Sequence, residues 1–223
     1  MTRKRAARAA PAQTGNRRGA EAASRVKALL RVARQLFLRK GYAGTSLNEV
    51  IALAGGSKAT LRKYFRNKAG LFSAVIAEVS RDFVACVHLR DIQGEPDQVL
   101  QSFGERVLNF YLAEDSLVCY RGVVAEGQGN PPMARSFHRQ GHGLIQAALA
   151  ERLEQWNRQG LIVSANALDD ADLFLHLIRA GPYERRLIGL TGAPGRQQVS
   201  ARIGRAVQLF LHGLENPQRP RSN

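Results

Sequence analysis

Apolar residues recur along this chain at the i, i+3, i+4, i+7 interval of amphipathic helices, and almost nowhere at the alternating interval of a strand. The first stripe runs Val26, Leu29, Leu30, Ala33, Leu36 and Phe37, with Gly41 placed to end it in a left-handed conformation. A second, short helix opens at Ser46 with Glu49 three residues on, the spacing of a capping box, and stops at Gly55 and Gly56. Ser57 can cap a third helix to about Tyr64. Asn67 can cap a fourth through Leu71, Val75, Val79 and Phe83 toward His88 or Asp91. Further helical stretches are expected at 97–113, 116–126, 132–158, 168–180, 183–190 and 197–213, separated by Gly- and Pro-containing segments. One alternating run, at 161–163, is too isolated to build a sheet. The pattern predicts an all-α protein of nine or ten helices without an internal repeat.

Charge divides this helical chain in two. Its 223 residues carry 33 Lys plus Arg against 18 Asp plus Glu, a net +15. Residues 1–70 hold 17 basic and 2 acidic residues, including all six lysines, whereas residues 71–223 hold 16 of each sign. The excess splits into +6 on residues 1–20 and +9 on residues 21–70. The expected organisation is a disordered basic arm (1–20), a small basic domain (21–66), a larger neutral helical domain (67–215) and a flexible tail (216–223). A polyphosphate is the natural partner of such a head, with an anionic membrane surface as the rival. Cys86 and Cys119 lack C-x-x-C spacing and read as small buried residues. No apolar stretch follows the N-terminal charges and none approaches the ~18 residues of a membrane span. The expected setting is therefore soluble, reducing and cytoplasmic.

Two short helices around a tight glycine turn, within a three-helix unit, have the layout of a helix-turn-helix. If Leu61 and Phe65 face its core, Lys58, Ala59, Arg62 and Lys63 point outward, with Thr60 and Tyr64 offering hydroxyls, as a major-groove reader requires. Thr45, Ser46, Ser57 and Lys68 stand near helix N-termini, where backbone N–H groups favour phosphate. Arg17 and Arg18, just ahead of the first helix, are candidates for an adjacent minor groove.

These residues also resemble a family. Ala33, Phe37, Gly41 and Tyr42, then Thr45 and Ser46, then Ala54-Gly55 followed by Ser57-Lys58-x-Thr60-Leu61, Tyr64-Phe65 and Asn67-Lys68-x-x-Leu71 are similar to the N-terminal domain of TetR-type transcriptional regulators. The resemblance covers about a fifth of the chain, from about residue 28 to residue 72. It implies a homodimer whose recognition helices enter successive major grooves of a pseudo-palindromic double-stranded DNA operator. It also implies a helical second domain that dimerises and binds an unknown small-molecule effector. The chain departs from the pattern at Arg62, where the family usually has Tyr, at Gly56, usually Val, and at Ile51, usually Ala.

In the neutral domain the candidate pocket residues are Phe83, Phe103, Phe110, Tyr111, Tyr120, Phe137, Trp156 and Tyr183, with Asn109, Glu126, Arg135, His138 and His176 as polar candidates. The segment 121–139 resembles the C-terminal domain of a subset of these regulators. The stripes Leu173, Phe174, Leu177, Ile178 and Val199, Ile203, Val207, Phe210 are expected to form the dimer interface as an intersubunit four-helix bundle. His138 and His142 have i, i+4 metal-chelating spacing, but glycines at 141 and 143 interrupt the helix and no third ligand lies within a turn. No nucleophile elbow, P-loop or dinucleotide fingerprint is present, so neither an enzyme nor a cofactor is expected. The reading is a dimeric, sequence-specific DNA-binding regulator, most simply a repressor released by its effector. An activator, an effector-independent DNA-coating protein and a metal-dependent enzyme using His138 and His142 are its alternatives.

Overall fold

The computed structural model describes residues 14–86 and 92–214, which form eleven α-helices with no strand among them. They are α1 (Thr14–Gly44), α2 (Leu47–Ala54), α3 (Lys58–Phe65), α4 (Lys68–Cys86), α5 (Pro96–Leu112) and α6 (Glu114–Glu126). The remainder are α7 (Pro131–Gln140), α8 (His142–Arg158), α9 (Ala167–Arg179), α10 (Pro182–Leu187) and α11 (Arg196–Gly213). The all-α expectation therefore holds.

Two boundaries differ from the sequence pattern, and other expected segments lie outside the described residues. Helix α1 begins at Thr14, so Arg17 and Arg18 lie within it and not on an arm ahead of it. The rest of the arm (1–13), the expected extension of α4 to His88 or Asp91, and the tail (216–223) lie outside the described residues. The stretch expected as one helix over 132–158 is broken at Gly141 (φ −102°, ψ −99°), which separates α7 from α8 and turns them onto different neighbours.

Two apolar cores meet along α4, and α6 also contributes to both, with Cys119 in the first and Leu117 in the second. The first gathers Leu29, Ala33, Leu36 and Phe37 of α1, Val50 of α2, Leu61 and Phe65 of α3, and Leu71, Phe72, Val75, Ile76 and Val79 of α4. Cys119 of α6 and Met133 of α7 close it from the other domain. The second takes Phe83 of α4 and continues through α5, α8, α9 and α11. Phe110 packs against both. On the outer side, Arg34 of α1 pairs with the Asp115 carboxylate of α6, its Nε donating at 2.6 Å.

The stripes expected at the dimer interface mostly face inward. Phe174, Ile178, Val199, Ile203, Val207 and Phe210 are all buried within the protomer, where α11 packs on α5 and α9. Periodicity correctly finds the apolar face of each helix, but the covering surface is the chain's own α5. Of the eight, Leu173 is 63% exposed and Leu177 is half-buried.

Glycine 122 sets the closest approach of α6 to the first core. A Cβ built there would lie 2.7 Å from Phe72 Cζ and 3.4 Å from Tyr42 Cβ, and Phe72 is fully buried. Overpacking costs about 1–3 kcal/mol, against roughly 1 kcal/mol gained in helix propensity, so Gly122→Ala should be destabilising overall. Urea unfolding is expected to show a lower midpoint; an unchanged or raised midpoint would contradict this packing.

Candidate functional site

The basic head is built by its caps. Ser46 Oγ accepts the Glu49 N–H at 3.1 Å and Ser57 Oγ accepts the Thr60 N–H at 3.2 Å, fixing the starts of α2 and α3. Glu49 does not complete the capping box with its side chain; its carboxylate accepts from Lys40 Nζ at 2.5 Å, tying α2 to α1. Between the two helices Gly55 (φ 77°) and Gly56 (φ 111°) adopt backbone that side chains with a Cβ rarely reach, which explains the glycine at 56.

With Leu61 and Phe65 buried, Ser57, Lys58, Ala59, Arg62, Lys63 and Tyr64 are exposed along α3 and Thr60 is half-buried. Lys58, Arg62, Lys63 and Arg66 form no ion pair with any described residue; Lys63 Nζ rests 5.6 Å from the Tyr64 ring. This row of uncompensated cations is electrostatically suited to phosphate and guanine edges. Two residues expected to face DNA are engaged elsewhere. Thr45 is buried at 2% exposure and its hydroxyl donates to the Gly41 carbonyl at 2.8 Å, so it holds the α1–α2 corner instead of facing outward. Lys68 Nζ donates to the Ala43 carbonyl at 3.1 Å and lies 4.5 Å from the Tyr42 ring. Burial lowers the Lys68 pKa, with Glu126 opposing the shift.

Behind the head lies a cavity of about 510 Å³, walled by α4, α6, α7 and α9 and by residues of α5, α8 and α10. Phe110, Tyr111, Tyr120, Phe137, His138, His176 and Tyr183, expected from sequence, all line it. Phe83, Phe103, Trp156 and Glu126 do not. Phe83 stacks on the back of Phe110 at 3.8 Å, Phe103 and Trp156 are buried in the second core, and Glu126 faces Tyr42 and Lys68 electrostatically.

Ser80, Ser116, Cys119, Asp172 and Arg179 also line the cavity without having been expected there, as does His142, which the sequence offered only as a metal-chelating partner of His138. Asp172, His176 and Arg179 stand at i, i+4 and i+7, one face of α9, and that spacing was the available signal. The break at Gly141 directs His142 across to this face: its Nε2 lies 2.6 Å from Asp172 Oδ1 and its Nδ1 3.2 Å from Tyr111 Oη. A carboxylate only accepts, so Nε2 carries the proton and donates; Nδ1 of the neutral ring then accepts from the Tyr111 hydroxyl. His176 Nδ1 donates to the Asp172 carbonyl at 2.8 Å.

Burial lowers the His142 pKa, and the Asp172 hydrogen bond opposes this without reversing it. At Asp172 burial acts to raise the pKa, but the His142 hydrogen bond and nearby positive groups bring it below the ordinary carboxylate value. Tyr111 and Tyr183 are raised by burial and stay neutral, and burial pushes the Cys119 thiol up to about 12, leaving it protonated. Ligand atoms of His142, Asp172 and His176 lie within 4.8 Å of one another, a set with metal-binding chemistry. The Arg179 charge acts on both His142 and Asp172 and opposes a divalent cation there.

The basic head, the cavity and the helix joining them have the layout of a DNA-binding regulator. Residues 29–75 match the tetR family of bacterial regulatory proteins, and residues 98–213, over half the chain, match the C-terminal domain of AefR-like transcriptional repressors. The chain belongs to the TetR family of transcriptional regulators. It is 25% identical over 155 residues to YvkB, an HTH-type transcriptional regulator of Bacillus subtilis, covering 68% of this chain and 78% of that one. The fold matches a TetR-family regulator of Mesorhizobium loti at a TM-score of 0.77 and 21% identity, over 86% of this chain and 97% of the other. It also matches the flavonoid-responsive regulator FrrA at a TM-score of 0.71 and 24% identity, over 87% and 98% of the two chains. No helix among the described residues is long and apolar enough to cross a membrane.

The neutral His142 has a consequence for stability. The fold excludes a proton that the unfolded chain takes up near pH 6.5. Its contribution is complete above that pH and is lost as pH falls from there through the depressed folded pKa. Urea unfolding between pH 8 and pH 5 should show that loss, and His142→Gln should flatten it. Identical pH profiles for the two proteins would contradict the assignment.

Proposed function

We propose that this regulator is a repressor that binds a pseudo-palindromic operator as a homodimer and is released when a small molecule occupies the α4–α10 cavity. The observation that carries this reading is the double use of α4. Ile76 and Val79 belong to the core that holds the helix-turn-helix, and the same two residues, with Ser80, wall the cavity. A ligand that displaces α4 also displaces the head. Because the two heads must keep the spacing of successive major grooves, a shift of a few ångströms costs register. By linkage, DNA then lowers ligand affinity by the factor through which ligand lowers DNA affinity.

The residues proposed to touch DNA are Ser57, Lys58, Ala59, Thr60, Arg62, Lys63 and Tyr64 of the α3 segment and the capped start of α2 at Ser46, with Arg17 and Arg18 adding charge on α1. The proposed dimer face is the outward side of α9 and α11. Leu173 and Leu209, 63% and 54% exposed, are apolar side chains there that the protomer leaves uncovered. An aromatic effector suits the ring-lined walls, in keeping with the fold's likeness to a flavonoid-responsive regulator. The protein would act in the cytoplasm, where its DNA is.

Selection from random duplexes should enrich an inverted repeat bound by two protomers. Arg62→Ala and Lys63→Ala should each weaken binding and reduce the slope of log affinity against log salt by about one for each phosphate no longer neutralised. Enrichment of no symmetric site, or an unchanged affinity and slope in both variants, would overturn the assignment of α3 as the recognition helix.

A further inference from the structure

We propose that the cavity takes a planar aromatic ligand bearing a carboxylate, with Arg179 as its counter-ion. The inference rests on reading the cavity as the effector site and specifies what that effector must carry. Among the described residues three buried side-chain polar atoms lack a hydrogen-bond partner: Ser116 Oγ, Arg152 Nε and Arg179 Nε. Ser116 and Arg179 both line this cavity. Arg152 is otherwise engaged, donating to the Ile92 carbonyl at 2.7 Å, whereas Arg179 donates to no described residue.

Its guanidinium is positioned all the same. Arg179 Cζ lies 5.4 Å from the ring centroids of both Tyr111 and Tyr183, and these two rings fix the fork by cation–π attraction while leaving its donors unused. The phenols cannot serve as counter-ions, because burial keeps both protonated. Asp172, the acidic residue lining the cavity, is near enough to act on Arg179 electrostatically but forms no ion pair with it. The Asp172 carboxylate is held by His142 at 2.6 Å and lies 3.5 Å from His176.

Five fixed N–H donors beside a cavity, with no acceptor among the described residues, match a carboxylate in geometry and charge. A divalent cation would meet the guanidinium, and a dianion would meet Asp172 as well as Arg179; a monoanion avoids both conflicts. The rest of the wall, with Phe110, Tyr120, Phe137 and Val123, is suited to a flat ring system, and about 510 Å³ lies within the range of small-molecule pockets. Ser116 supplies one further hydroxyl.

Calorimetric titration of the full-length protein with 4-biphenylcarboxylate and with its neutral isostere 4-biphenylcarboxamide tests the proposal. The wild type should bind the carboxylate at least tenfold more tightly. Arg179→Met, which keeps an apolar stem between the two rings, should bind both within twofold of each other while retaining its carboxamide affinity. Arg179→Lys, which keeps the charge without the fork, should retain part of the preference. Equal affinities in the wild type, no binding of either compound, or a preference that survives Arg179→Met would overturn the proposal. Adding the carboxylate to the wild-type operator complex separates this from the function proposed above. An Arg179-dependent preference without loss of DNA would sustain the ligand assignment and contradict effector release.

Discussion

Everything in this molecule depends on α4 being held by two cores at once. Leu71, Phe72, Val75, Ile76 and Val79 pack it into the basic head, and Phe83 packs it into the second core. The head is too small to be indifferent to this arrangement. Its α2 and α3 have eight residues each, far below the length at which a helix is stable alone, so they depend on tertiary packing against α1 and α4. Moving α4 therefore moves the platform on which α3 stands. Met133 and Cys119 reach into the same core from α7 and α6, and the Arg34–Asp115 pair clasps α1 to α6, so the head is anchored on several sides.

The electrostatics follow the same division. The cations of α3 have no acidic partners among the described residues and sum into a field directed outward, while two other basic groups of the head are engaged internally, Lys40 by Glu49 and Lys68 by the Ala43 carbonyl. The cavity behind α4 is nearly the reverse case. Its charged groups are few, and its linked chain, Tyr111 to His142 to Asp172, spends its hydrogen bonds within the protein. Arg179 is the exception, a cation fixed by ring faces and left without an acceptor among the described residues.

How much of this could be read from sequence depended on whether the signal was local. Caps are local: Ser46, Ser57 and the Gly55-Gly56 turn marked the helix-turn-helix, and charge segregation indicated what the head meets. The expected aromatic lining was largely recovered because Phe110, Tyr120 and Phe137 sit on helices that face one another. Trp156 and Phe103 have the same residue chemistry but point into the second core, a distinction that only packing makes. The stripe at Val199, Ile203, Val207 and Phe210 misleads for a related reason. An apolar face states that something covers it, and here α5 of the same chain does. The polar end of the cavity was missed because His142 meets Asp172 only after the chain breaks at Gly141, and no spacing records a meeting across 30 residues.

If filling the cavity disturbs the head through α4, a substitution can fill it without a ligand. Val123 of α6 lines the cavity and packs against the head's core. Fluorescence anisotropy of the selected operator with Val123→Trp measures the coupling directly, on protein shown by circular dichroism to be folded and by sedimentation to be dimeric. Operator affinity should fall at least tenfold below wild type with an unchanged salt slope, since every cation of α3 is retained. Wild-type operator affinity in the folded, filled variant would contradict control of the head through α4.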